Sequence, residues 1–151
     1  MSRTKLFAWF FLLATAGAAA DEIALGSLYV RDGHGSSCGR IESDGTARNY
    51  GGSTIGRIES DGTVRNYGGS TIGRVQSDGT IRNGGGSTIG RVESDGTLRS
   101  GGGSTVGRIE SDGTIRNGGG STRGRFEGYD SSLRHEAAAY LFFFQPLHEG
   151  E

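Results

Sequence analysis

The chain has 151 residues, 30 of them glycine against one proline and one cysteine, and its 16 Lys and Arg against 17 Asp and Glu give a net charge of −1. A nucleic-acid binder is expected to carry a clear basic excess and a membrane-surface protein a Lys/Arg-rich amphipathic face, so neither class fits. The single cysteine excludes an intrachain disulfide framework and leaves packing to hold the fold.

Residues 1–20 read as a secretory signal: a basic start at Arg3 and Lys5, an apolar run from Leu6 to Leu13, and an Ala-rich end closing on an A-x-A pattern before Asp21. Cleavage is expected near Ala20, with a periplasmic or extracellular destination. The apolar run is shorter than the roughly 18 residues a transmembrane helix needs, so no span is expected in the mature chain. Loss of Arg3 and Lys5 leaves 14 bases, all Arg, against 17 acids.

From Gly39 to Arg123 a 17-residue unit is written five times, restarting at Gly56, Gly73, Gly90 and Gly107. Within a unit, Ser60-Asp61-Gly62 separates two runs rich in β-branched residues, which is a hairpin signal. A three-residue loop with a left-handed glycine sets Ile58 opposite Val64 and puts both apolar side chains on one face. Asp44-Gly45, Asp61-Gly62, Asp78-Gly79, Asp95-Gly96 and Asp112-Gly113 are thus turn pairs, the carboxylate bonding nearby amides and the glycine tolerating positive φ.

The second connection, such as Asn66-Tyr67-Gly68-Gly69-Ser70, is also turn-rich. Ile55 and Ile58 lie three apart, which sends them to opposite faces of a regular strand. Gly56 between them predicts a bulge that resets the phase. Each unit then offers three apolar positions. Their burial, at about 1.5–3 kcal/mol each, cannot offset the ordering of 17 residues at about 1–2 kcal/mol each, so units must share a core.

Upstream, Val30 to Cys38 matches Val64 to Ile72 position by position, a diverged first copy in which Cys38 takes the aliphatic slot. Downstream, Gly124-Arg125-Phe126-Glu127 ends the array. Units beginning near Val30, Ala47, Val64, Ile81, Leu98 and Ile115 make six, and closure into a ring is favoured over an open stack with exposed edges. The expected class is all-β: a closed or ring-like array of short hairpins over residues 21–127, followed by a helical tail over residues 128–151.

That tail opens with an N-cap cluster, Asp130-Ser131-Ser132, and reads as a helix from Leu133 to Phe144, stopped by Gln145-Pro146. Leu133, Ala137, Tyr140, Leu141 and Phe144 form one apolar stripe, expected to pack on the repeat core.

The repeats and the closing run Ala137-Ala138-Ala139-Tyr140-Leu141-Phe142-Phe143-Phe144 together resemble the bacterial beta-flower proteins, in particular those called five-fold beta-flower, over about residues 26 to 144. The resemblance implies hairpin petals around a central axis with the C-terminal segment packed on them. It implies no reaction. Six units stand where the name implies five.

The predicted register sets Arg57 opposite Arg65 with Glu59 beside them. Repetition makes an Arg band on the wall: Arg57, Arg74, Arg91 and Arg108 from one strand, Arg65, Arg82, Arg99 and Arg116 from the other. Glu42, Glu59, Glu93, Glu110 and Glu127 supply counter-charges, and Gln76 breaks the set. Facing arginines repel unless carboxylates or an anion separate them. The band is either a solvated salt-bridge face or a surface for anions and glycans, since guanidinium forks take carboxylates, sulfates and phosphates at two points.

Calcium is not expected, because the turn role accounts for one Asp per unit and Ca²⁺ takes about six to eight oxygens. No metal is expected at His34, His135 and His148, whose spacing suits no site. The serines repeat in every unit, and none has a distinguishing base. The expectation is a non-enzymatic module without cofactor or nucleic-acid partner, meeting an anionic polysaccharide or another envelope component. The alternative is a self-assembling homo-oligomer associating through the Phe-rich tail.

Overall fold

The computed structural model describes residues 22–147. The expected secretory segment over 1–20 and His148 lie outside the described residues. Twelve short strands follow one another: β1 (Leu28–Asp32), β2 (Ser37–Ile41), β3 (Thr46–Asn49), β4 (Thr54–Ile58), β5 (Thr63–Asn66), β6 (Thr71–Val75), β7 (Thr80–Asn83), β8 (Thr88–Val92), β9 (Thr97–Ser100), β10 (Thr105–Ile109), β11 (Thr114–Asn117) and β12 (Thr122–Glu127). Each pairs antiparallel with its sequence neighbours, and β12 pairs with β1 through Val30 opposite Phe126, closing a barrel of six hairpin units. Closure removes the strand edges that an open array of this kind would expose. The diverged first copy supplies β1 and β2, so the ring is six-fold.

The hairpin register is the one the apolar pattern demands, with Ile58 opposite Val64 and Arg57 opposite Arg65. In the loop between them the Gly62 amide donates to the Glu59 carbonyl at 2.9 Å, Asp61 Oδ1 accepts from the Thr63 amide at 2.9 Å, and Gly62 sits at φ 91°. The second turn uses Asn66, whose Oδ1 accepts from the Ser70 amide at 3.0 Å. The bulge is also present: Ala47 faces Gly56 but Arg48 faces Thr54, so Ile55 is the extra residue and the side-chain phase resets around it. Units are tied to one another as well, since the Val75 amide donates to the Gly62 carbonyl of the preceding turn at 2.9 Å, and this bond recurs around the ring.

Of the three apolar positions per unit, two are fully buried, as at Ile58 and Val64. The third is half-buried: Ile55, Ile72, Ile89 and Val106 pack on the rim of the core, and Cys38 sits with them as a free thiol. The slot assigned to Cys38 is correct, but it belongs to the partly open layer.

After a 3-10 turn at Ser131–Leu133, capped by Asp130 accepting from the Ser132 amide, the chain forms α1 (Arg134–Phe143). Residues 136 to 141 are buried without interruption, so every face of this part of the helix is covered and not only the predicted stripe. The reason is its position. A Cβ on Gly39, Gly56, Gly73, Gly90 or Gly107 would run into Tyr140, Phe144, Phe143, Phe142 or Leu147 respectively. These glycines lie on alternate strands round the barrel, and one segment reaches them all only from the axis. At the other end Glu136 Oε1 accepts from the Gly26 amide at 2.7 Å, while the Ile23 amide donates to Ser60 O in a Ser-Asp-Gly turn. The tail thus threads the barrel, with its alanines in the cluster that holds the Ile and Val ring and its aromatic end in the glycine layer.

Candidate functional site

The barrel interior is occupied by its own tail, so chemistry directed outward falls to the wall. There the two arginine rows differ. Arg65, on the second strand of its hairpin, places Nη1 on the Gly69 carbonyl at 3.1 Å and on Thr71 Oγ1 at 3.0 Å, and its Nε meets Glu59 at 3.0 Å. It clamps the Asn-Tyr-Gly-Gly turn to the next strand. Arg48, Arg99 and Arg116 make the same three contacts with their own turns, threonines and Glu42, Glu93 and Glu110.

Arg82 keeps the clamp, 3.0 Å to both Gly86 O and Thr88 Oγ1, but Gln76 stands where the carboxylate would be and its Nε has no partner among the described residues. Each complete hairpin carries two Arg against one Glu and one Asp. The hairpin of Arg74, Gln76, Asp78 and Arg82 therefore carries one uncompensated positive charge.

The first-strand row is free of such bonds. Arg57, Arg74, Arg91, Arg108 and Arg125 are exposed and make no hydrogen bond or ion pair among the described residues. Arg40 is the exception, held by Glu42 at 3.2 Å, which makes Glu42 a bridge between two facing arginines. The free guanidiniums are felt by the turn aspartates. The Thr63 amide bonded to Asp61 holds its carboxyl below the usual range and Arg74 adds to this, with Asp44, Asp78, Asp95 and Asp112 in the same relation to Thr46 and Arg57, Thr80 and Arg91, Thr97 and Arg108, and Thr114 and Arg125. Each aspartate is thus committed to its turn.

The eight arginines singled out from sequence lie together on the outer wall, but four of them hold turns and four face solvent. Spacing alone does not give the distinction, since both sets stand six residues before a threonine, Arg65 before Thr71 and Arg57 before Thr63. Three further features were not anticipated. Tyr50 and Tyr67, in two of the second turns, are about 80% exposed where later copies carry Gly84 and Gly101. The signal for them is that, among the five close copies from Gly39 onward, these two break the glycine run. Glu136 is fully buried in the helix, its Oε2 without a partner, and burial pushes its pKa up to about 8.

Among the described residues no group of three or more His, Cys, Asp and Glu is placed to share a metal ion, and no helix is long and apolar enough to cross a membrane. A family model described as 5-fold beta-flower protein matches residues 27–145. No curated protein and no solved structure matches the chain.

Proposed function

The chain belongs to the 5-fold beta-flower family, and from that premise we propose that it is a secreted or periplasmic, non-enzymatic module that binds an anionic polymer, an acidic polysaccharide or another envelope component, through its outer wall. The observation that carries this reading is the row of exposed, unbonded arginines Arg57, Arg74, Arg91, Arg108 and Arg125 on successive hairpins. Two strand spacings separate neighbours, so a guanidinium recurs about every 10 Å along the wall. A repeating polyanion can then engage several weak contacts at once and gain avidity from the linkage. Because the row is solvated, such binding should weaken as salt screens it.

The rival, self-assembly through the Phe-rich tail, needs that tail on the surface. Phe142, Phe143 and Phe144 are instead half-buried, packed against Gly90, Gly73 and Gly56 of the ring, which favours the wall.

The test is retention on immobilised dextran sulfate at low and high salt. The purified protein should be held and released by salt, and the combined change of Arg57, Arg74, Arg91 and Arg108 to Gln should abolish retention while the melting curve stays in place. Unaltered retention by this variant, or none by the native protein, refutes the reading.

A further inference from the structure

The six units are near-copies, so each serves as a control for the others: a residue that departs from the pattern without an architectural reason is there for something else. Tyr67 is such a residue. Its turn closes with the Gly69 amide on the Asn66 carbonyl at 3.0 Å, and the turn that has Gly84 in the same place closes with the same bond, Gly86 to Asn83, at 3.0 Å. The ring contributes nothing to the turn and is 79% exposed. A single exposed aromatic is ordinary on a protein surface; what gives the Tyr67 ring a use is the hollow it lines.

Beside it is a concavity of about 170 Å³ lined by Thr46, Thr54, Arg57, Arg65, Asn66 and Tyr67. Arg65 is fixed by its clamp to Gly69 and Thr71 and by Glu59, whereas Arg57 enters the same space with no bonded partner. An apolar ring face and an unpaired guanidinium therefore share one small hollow, floored by hydroxyl and amide groups. The volume is well below the roughly 300 Å³ of a drug-sized pocket and suits one ring-sized group.

We infer that this hollow is a subsite for a single acidic sugar residue, its C–H face against Tyr67 and its carboxylate or sulfate held by Arg57. The inference rests on the proposed binding of anionic polymers and gives that polymer a chemistry: a saccharide, and not merely a chain of charges. Two-point recognition by guanidinium suits a planar carboxylate or a sulfate, and a flat, rigid ring supplies contact area at little entropic cost. The neighbouring unit lacks the combination. Tyr50 is equally exposed, but the arginine at the place of Arg57 is Arg40, pinned by Glu42.

Titration with an oligogalacturonate, its methyl-esterified form and dextran sulfate separates the possibilities, using the native protein, Tyr67→Gly and Arg57→Gln. Tyr67→Gly reproduces a turn the chain already builds, so its fold is secure. The expected result is that either substitution weakens oligogalacturonate about tenfold, a loss typical of a central aromatic or Arg contact, and that the methyl ester binds weakly to all three proteins. If Tyr67→Gly leaves oligogalacturonate affinity unchanged while the fourfold arginine variant still loses dextran sulfate, the Tyr67 subsite is wrong and the arginine row stands. If the native protein binds neither polymer, both readings fall.

Discussion

The ring of Phe143 fills the space that a Cβ on Gly73 would need, with the Arg82 carbonyl closing the same space from the sheet. One glycine therefore does two jobs, admitting the neighbouring strand and admitting the tail. Substitution Gly73→Ala is expected to destabilise the protein by about 1–3 kcal/mol or more, the range for overpacking a filled core. The check is a denaturant melt against Gly102→Ala, where the nearest atom to an added Cβ is Ser100 Oγ at 4.0 Å and the change should be small.

Glycines with the same backbone angle should differ in sensitivity. Gly62 and Gly69 lie at φ 91° and 93°, but a Cβ on Gly62 would strike the Val75 carbonyl of the next hairpin, and one on Gly69 would meet nothing within 4 Å. Gly69→Ala should cost about 1–2 kcal/mol for the left-handed conformation alone. Gly62→Ala should cost clearly more, because the added Cβ also collides with the backbone of Val75, the residue whose amide bonds Gly62 and joins two units. Equal losses in chemical denaturation would contradict this account of how units are tied.

The two arginine rows predict opposite readouts. Arg65→Ala removes a turn clamp and is expected to cost about 1–2 kcal/mol of stability. Arg57→Ala removes no bond and should stay within about 0.5 kcal/mol while lowering polyanion retention. A thermal melt and a binding isotherm on the same pair of variants decide the matter.

Stability should depend on pH through Glu136. Burial raises its folded-state pKa to about 8 from an ordinary 4.5. Below pH 4.5 the carboxyl is neutral in both states and exacts nothing. Between about 4.5 and 8 the unfolded chain ionises it while the barrel keeps it neutral, so stability falls as pH rises and levels off above 8. Glu136→Gln should flatten that descent. On the acid side, carboxyls such as Asp61 and Asp112 are held below 3.8 by their turn amides, so stability falls again as pH drops through their lowered values. Urea midpoints from pH 3 to 9 for both proteins test the two limbs, and a descent unchanged by Glu136→Gln would remove Glu136 from the account.

Much of the hairpin was legible because its signals are local. Ser60-Asp61-Gly62 fixes loop length and chirality, Ile58 and Val64 fix the register, and Gly56 marks the reset of phase at Ile55. The wall was half legible: the register placed Arg57 against Arg65, but nothing within the unit says that Arg65 reaches a carbonyl four residues on while Arg57 stays free. Such contacts follow from strand twist and from the neighbouring hairpin, neither of which a repeat read in isolation contains. Tyr67 was visible as an irregularity in the copies, yet its proximity to Arg57 is a product of pairing.

By itself the sequence determined the period, the turn chemistry, the apolar pairing and the count of six units, since each depends on residues within one or two turns of one another. The number needed to close the ring, the passage of the tail through it and the matching of Phe143 to Gly73 were decided only by tertiary structure. Closure depends on the curvature accumulated over all twelve strands, and the glycine layer has meaning only once a distant aromatic segment arrives to fill it. The burial of Glu136 has the same origin, because a helix enclosed on every side leaves no polar face for a carboxylate to use.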